Sequence, residues 1–298
     1  MHDSKLTKRE EMKMELKGIT LEEVAMLCHV KIHFYGFRKY DREVSDVVAE
    51  KMKADKDAGR YNKSLIERKG LKFLKGIAGE IRRFHRRNTL PWTDEDYRIL
   101  PVDNHMDHAK GLRDKISEFE KQADLFCKTL PDEYKKAKVK LGDMWKEEDY
   151  PDIKDVRSKY WVEVKIKPIP TGSDFRIQKL DKKVMAQLKA DVENEKKEAV
   201  KEAVTSLWVR LETPIKKMVE KLSDKEGEFR DSLVTNVESI VDLIPKMNLG
   251  DSNLLKFSKD VKAKLCSVDP KSLRKDPKVR KETAKMAKEI LDKMSAYC

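Results

Sequence analysis

The sequence predicts a mainly α fold, either an elongated bundle of long helices or a coiled-coil-like hairpin, interrupted by two short β-strands. Charged residues make up 40% of the chain and hydrophobic residues 39%, with only 11 Gly and 10 Pro among 298 residues. This balance is typical of long solvent-exposed helices joined by few loops. The apolar residues also recur at helical spacing, which argues against a disordered chain.

We predict three segments along the chain. They are a polar N-terminal segment at 1–24, a helical region with two strands and a basic helix at 25–172, and a long kinked helix followed by C-terminal helices at 173–298. The first residues contain no apolar signal sequence, and no stretch approaches the roughly 18 apolar residues that span a bilayer. The four cysteines form no C-x-x-C pair. We therefore expect a cytoplasmic protein without membrane association.

The first half of the chain predicts one strand, two helices and a loop. Partial alternation of apolar residues indicates a half-buried strand at about 27–35. A helix over Asp41–Ala58 follows, with Asp41 as its cap, and a second helix covers about Asn62–Asn88. The proline steps in Thr89–Asp107 forbid continuous helix and predict an ordered loop.

The second half predicts long helices around one strand. A helix over about His108–Trp145 is expected to be interrupted or kinked near Leu130-Pro131, and strict alternation indicates a strand at about 158–167. Helical periodicity from Ile177 to Leu222 predicts a long helix, kinked at Pro214, that packs on another helix within the chain or across an oligomer. Shorter helices are predicted at Gly227–Leu243, Ser252–Leu265 and Pro277–Met294. We expect the two strands to pair or to lie against a helix.

The net charge of +12 is concentrated in two segments. Arg60–Asn88 contains ten Lys or Arg and two Glu, and Lys271–Lys288 contains eight Lys or Arg and two acidic residues. Positive charge at this density attracts nucleic acid, acidic protein surfaces or anionic lipid, and salt weakens the attraction.

The run Arg82-Arg83-Phe84-His85-Arg86-Arg87 is the strongest binding candidate. It places cations around most of a helical turn, and Trp92 and Tyr97 follow closely. Arginines can contact phosphates, and unpaired bases can stack on aromatic rings. The alternative is that the arginines pair with the acidic residues 94–96 or with other helices. The residues predicted to bind nucleic acid or an acidic partner are Arg82, Arg83, His85, Arg86, Arg87 and Trp92.

Catalytic motifs are missing from the sequence. It contains no phosphate-binding glycine loop, no nucleophile elbow and no H-E-x-x-H helix. Residues 103–108 carry the only close cluster of metal-ligand types, with His105 and His108 as candidates. A polar helix start capped by Asp103 or Asp107 is the better explanation, because a zinc site usually has three or four committed ligands. We expect a protein that is not an enzyme, with no cofactor, no metal site and no catalytic residue.

Several landmarks occur in order over about residues 25–176. They are a strand (LCHVKIHFYGFRK), a helix leading into FHRRNTLPW, the RILP step, a helix ending in LGDMWKEEDYP, and a second strand followed by PIPTGSDFR. This order resembles an uncharacterised family of phage and prophage proteins that are often encoded beside a MoxR-type AAA+ ATPase and a von Willebrand factor A-type protein. The resemblance implies a helical protein in the cytoplasm of a bacterial host cell, with an AAA+ ATPase among its candidate partners. It implies no catalytic residue.

These observations predict a non-enzymatic phage-type interaction or assembly protein. It would engage a protein partner, such as an AAA+ ATPase or a host factor, through its long helices, and it could form a homo-oligomer. The alternative is a nucleic-acid-binding protein in phage recombination, replication or counter-defence, with the Arg82–Arg87 helix on the phosphates.

Overall fold

The structure, a computed structural model, describes residues 20–93, 96–175, 177, 180–224, 228–295 and 297. This part of the chain is mainly α with a small β element, which confirms the predicted fold class. It forms two compact units, each discontinuous in sequence. Unit 1 comprises the described residues within 1–29, 86–108 and 165–298, and unit 2 comprises 30–85 and 109–164. The predicted three-segment division stays a prediction, and residues 1–19 of its first segment lie outside the described residues.

The secondary structure is dominated by three helices of 20 residues or more. The α-helices of the described residues are α1 (Leu21–Val24), α2 (Arg42–Met52), α3 (Arg68–Arg87), α4 (Val102–Leu141), α5 (Ile153–Val156), α6 (Lys182–Ser223), α7 (Ser232–Met247), α8 (Ser252–Val261), α9 (Pro270–Lys275) and α10 (Pro277–Met294). The strands are β1 (Ala25–His33), β2 (Arg38–Tyr40), β3 (Asn62–Ser64), β4 (Leu90–Pro91), β5 (Arg98–Pro101) and β6 (Trp161–Lys167).

The main sheet has the strand order β4-β5-β1-β6. The two predicted strands, β1 and β6, are neighbours in it, so the expected pairing is confirmed. β1 runs antiparallel to β5, and β4 is also antiparallel to β5. The prediction of a loop over Thr89–Asp107 was therefore wrong at Leu90–Pro91 and Arg98–Pro101, which form β4 and β5. Pro91 and Pro101 each end a strand, where the missing backbone N–H is tolerated, and the buried side chains of Leu90 and Ile99 hold these strands in the core.

Several predicted helix boundaries need correction. α2 ends at Met52 rather than at Ala58, because Lys53 takes a left-handed conformation with φ of 53°. α6 begins at Lys182 rather than Ile177, and α7 covers Ser232–Met247 rather than Gly227–Leu243.

α3 begins at Arg68 rather than near Asn62, because Asn62–Ser64 pairs with β2 as β3. α4 begins at Val102 and continues through Pro131 without the predicted interruption. Leu130 and Ala137 are buried on either side of the proline, and this packing offsets the hydrogen bond that the proline removes.

In unit 1, α6 supplies the central apolar stripe. Its buried side chains from Ala199 to Leu222 belong to one core with residues of α7, α8 and α10. The fully buried Trp208 donates from Nε1 to the Asp251 carboxylate at 2.9 Å, and its ring stacks on Tyr297 with centroids 4.9 Å apart. Over this part of α6, the predicted packing on other helices occurs within the chain.

In unit 2, the apolar faces of α3 and α4 form the core with residues from the loops. Gly111 of α4 permits a close approach, since a Cβ atom there would lie 2.4 Å from the Phe84 ring. Tyr160 is fully buried and donates from its hydroxyl to the carbonyl of Tyr35 at 2.8 Å. These contacts fix which face of α3 points inward.

Lys63 on β3 is the centre of a buried ion cluster in unit 2. Only 2% of its side chain is exposed, and its Nζ lies 3.0 Å from the Asp41 carboxylate and 2.7 Å from that of Asp149. Nζ also donates to the carbonyl of Met144 at 2.8 Å. The hydrogen bond from Lys63 lowers the pKa of Asp41. The two carboxylates therefore compensate the buried cation, and the cluster holds the paired strands β2 and β3 against Glu147–Asp149.

Candidate nucleic-acid interface

Helix α3 has one apolar and one basic side. Leu71, Leu74 and Ile81 are buried in the core of unit 2. At about 100° per residue, seven exposed cations project from the opposite side within an arc of about 140° and span about 27 Å along the helix. These seven residues, which we call the basic face, are Lys69, Lys72, Lys75, Arg82, Arg83, Arg86 and Arg87.

The arginines of the basic face remain exposed to solvent. Within the described residues, none of their four guanidinium groups forms an ion pair with a carboxylate. Glu80 is the one acidic residue of α3, and its carboxylate instead lies 3.8 Å from Nζ of Lys115 on α4. Of the acidic residues proposed as alternative partners, positions 94 and 95 lie outside the described residues. No carboxylate of the described residues therefore neutralises these four arginines, and an external anion can bind them.

Arg210 of α6 caps the end of the basic helix. Its guanidinium donates to the carbonyls of Arg86 at 3.1 Å, Arg87 at 3.0 Å and Thr89 at 2.8 Å. Arg98 donates from Nε to the hydroxyl of Thr89 at 2.8 Å. The last carbonyls of a helix have no partner within the helix, so these donors fix the terminal turn that carries Arg86 and Arg87.

The same contacts concentrate positive charge at this end of α3. Burial, and then the charge of Arg98, lowers the pKa of Arg210 to about 10. Burial also lowers the pKa of Arg98, with a further contribution from Arg86 that Glu202 opposes. A lowered pKa means that the charged form costs free energy in this environment. A bound polyanion would stabilise the three guanidinium groups.

Two glycines lie between the cations of the basic face. A Cβ atom at Gly76 would have no atom within 4 Å, and one at Gly79 would meet only the Arg83 side chain, at 3.3 Å. Packing among the described residues therefore does not require either glycine, although each costs a helix roughly 1 kcal/mol relative to alanine. Their effect is to leave the helix backbone accessible in the middle of the face.

The other predicted binding residues lie in the interior. His85 is 6% exposed and Trp92 is 8% exposed. Tyr97 is half-buried, with Lys167 Nζ 4.1 Å above its ring and the ring of His29 at 5.3 Å. Neither Trp92 nor Tyr97 therefore presents an open ring face for the base stacking that the sequence had predicted. The structure thus brings the four arginines to one surface and separates Trp92 from it.

The metal candidates also differ from the predicted pair. His108 is 2% exposed, and burial followed by the charge of His105 lowers its pKa to about 4. His105 is half-buried, while the Cys28 sulfur and a His108 ring nitrogen lie within 4.8 Å of each other. Burial raises the pKa of Cys28 to about 11. Both groups are potential zinc ligands. The uncharged imidazole of His108 is the form that coordinates zinc, whereas the Cys28 thiol would have to release its proton on binding the metal.

Neither acidic residue proposed as the cap of this helix caps it. α4 begins at Val102, so Asp103 lies in its first turn and Asp107 lies further along. Asp107 forms an ion pair with Lys246 of α7.

Sequence reasoning missed part of the candidate interface. The three lysines and two glycines of α3 could have been found by projecting the helix along its axis, because they share a face with the arginines. Arg98 and Arg210 carry no local signal, since only the tertiary fold brings them to the end of α3. Cys28 is far from His108 in sequence and could not be found from ligand spacing.

No protein-family model, curated protein or solved structure matches this chain. The resemblance to the phage family therefore stays a prediction. None of the helices in the described ranges is long and apolar enough to cross a membrane. The functional argument rests on the residues of the basic face.

Proposed function

We propose that this protein is a non-enzymatic nucleic-acid-binding protein whose basic face contacts the phosphate backbone. The observation that carries the proposal is the set of seven exposed cations on one side of α3, whose arginines form no ion pair within the described residues. Lysines and arginines that neutralise phosphates release counterions from the nucleic acid, which supplies affinity independent of sequence.

The experiment measures nucleic-acid affinity at low salt after charge reversal. The variant R83E/R86E/R87E should lose at least about 100-fold in affinity, because three phosphate contacts become repulsive. The matched control K278E/K281E/K288E changes the net charge equally in the second basic segment, where all three lysines are exposed. It should lose less than about threefold. Equal losses would assign binding to diffuse charge, and absence of wild-type binding at low salt would end the proposal.

A protein partner that docks on a long helix is the second candidate function. Its support is the start of α6, where Val184 is 46% exposed and Leu188 and Val192 are half-buried, whereas the stripe from Ala199 onward is buried in unit 1. This stretch could receive an apolar helix of a partner, such as an AAA+ ATPase, or of a second copy.

Light scattering of the purified chain across a concentration range tests self-association. A dimer that V184D/L188D converts to monomer would support docking at the start of α6. A wild-type chain that stays monomeric throughout would remove the homo-oligomer, and a dimer that the variant leaves intact would place the contact elsewhere.

A further inference from the structure

The number of exposed aromatic rings near the basic face distinguishes a single-stranded ligand from a double-stranded one. Proteins that bind single strands stack successive bases on exposed rings. Trp92 is 8% exposed, and Lys167 lies over Tyr97. On α3, Phe84 is half-buried and packs against the core of unit 2. Phe73, 59% exposed at the edge of the basic face, is therefore the one open ring among the described residues of this helix. A single ring cannot stack a run of bases.

The arrangement of cations on α3 fits two rows of phosphates. Projected along the helix, Lys75, Arg82 and Arg86 lie near one edge of the arc, and Lys69 and Arg87 lie at the other. The major groove of B-form DNA is about 12 Å wide and admits an α-helix, with a phosphate strand along each wall. Cations on both flanks of one helix can therefore reach both walls.

Two glycines within the arc allow close approach. Gly79 lies near its centre and Gly76 lies about 20° from the edge that carries Lys69 and Arg87. A Cβ atom at Gly76 would meet nothing within 4 Å in the free protein. Lys72 and Arg83 flank the glycines and are long enough to reach base edges while the backbone lies deep in the groove. A ligand with a flat anionic surface would not require a small residue at position 76, whereas a groove that encloses the helix would.

We infer that the ligand of the basic face is double-stranded B-form DNA, with α3 lying in the major groove. This inference rests on the proposed function, because it assigns a ligand class to the same surface. Duplex RNA is excluded from this mode, since its major groove is too deep and narrow to receive a helix.

The experiment compares three probes of one sequence: a 20-base-pair DNA duplex, its single strand, and the corresponding RNA duplex. Fluorescence anisotropy at low and intermediate salt should show the DNA duplex binding at least about tenfold more tightly than either of the others. A single strand that binds as tightly, with F73A lowering its affinity, would overturn the inference in favour of stacking. An RNA duplex that binds equally would overturn insertion into the groove.

Substitution of Gly76 provides the structural test. G76Q should lower duplex DNA affinity about tenfold while the melting temperature stays the same or rises, because a Cβ atom there meets nothing within 4 Å and glutamine favours the helix over glycine. The matched control is G59Q, another position where a Cβ atom would meet nothing within 4 Å, and it should change affinity less than twofold. Unchanged affinity in G76Q would contradict close approach of the backbone.

The two claims fail differently. If no probe binds at low salt, the proposed function fails together with the inference. If nucleic acid binds through the basic face without preference for the DNA duplex, the function stands and the inference is wrong.

Discussion

The guanidinium group of Arg210 donates a hydrogen bond to the backbone carbonyl of Arg87 over 3.0 Å. Arg210 belongs to α6 and Arg87 is the last residue of α3, so a side chain from a distant part of the sequence stabilises the terminal turn of the basic helix. Two further carbonyls accept from the same group. The positions of Arg86 and Arg87 therefore depend on a residue that contributes to the site through the backbone.

Replacement of Arg210 tests this dependence. R210M should lower the free energy of unfolding by about 2–3 kcal/mol, because three carbonyls lose a charged donor. Nucleic-acid affinity should fall as well, as the turn that presents Arg86 and Arg87 loosens. Urea denaturation measures the first effect and anisotropy the second. R230M, at an exposed arginine, is the control, and equal stability of the two variants would contradict the capping role.

Lys63 gives a prediction for unit 2. K63M should destabilise the protein by about 3–5 kcal/mol, because Asp41 would remain buried without its cation and Asp149 would keep only Lys39, at 3.7 Å. The triple variant K63M/D41N/D149N should recover part of this loss, since it removes the buried charges together. Chemical denaturation of both variants measures the difference. A single variant within about 1 kcal/mol of wild type would show that solvent already compensates the two carboxylates.

The lowered pKa of His108 should make the stability of the protein depend on pH. The His108 pKa of about 4 in the folded protein lies below the ordinary 6.5, so the unfolded chain binds a proton in this interval that the folded protein does not. The contribution of His108 is complete above about pH 6.5 and is lost as the pH falls towards 4, by up to about 3 kcal/mol.

Urea denaturation between pH 7 and pH 4 measures this loss. H108Q should flatten the decline over the interval, because the side chain no longer titrates. The exposed His33 provides the control H33Q, which should retain the wild-type decline. A wild-type profile in H108Q would assign the pH dependence to other groups.

The fold was predictable where periodicity is long. The stripe of α6 and the alternation of β6 are repeated often enough to identify the element, and both are present. β4 and β5 are two and four residues long and end at prolines, so they offer too few positions for alternation to be recognised. Pro131 does not interrupt α4, because buried neighbours on both sides hold the helix together, and these contacts are set by tertiary packing.

The candidate site was predictable only in its local part. The four arginines lie within six consecutive residues, so the local concentration of charge in the sequence was enough to identify them. His85 follows Ile81 by one helical turn and shares its buried side, which the helical period could have revealed. Trp92, Arg98 and Arg210 take their places from the tertiary fold, which the spacing of residues does not encode.

The salt dependence of DNA affinity tests the central claim most directly. For wild type, the logarithm of the association constant should fall linearly with the logarithm of salt concentration, with a slope of about −4 to −6 if five to seven cations contact phosphates. The neutral variant R83Q/R86Q/R87Q should make the slope shallower by about 3, one for each lost contact. An unchanged slope in this variant would contradict the assignment of phosphate binding to the basic face of α3.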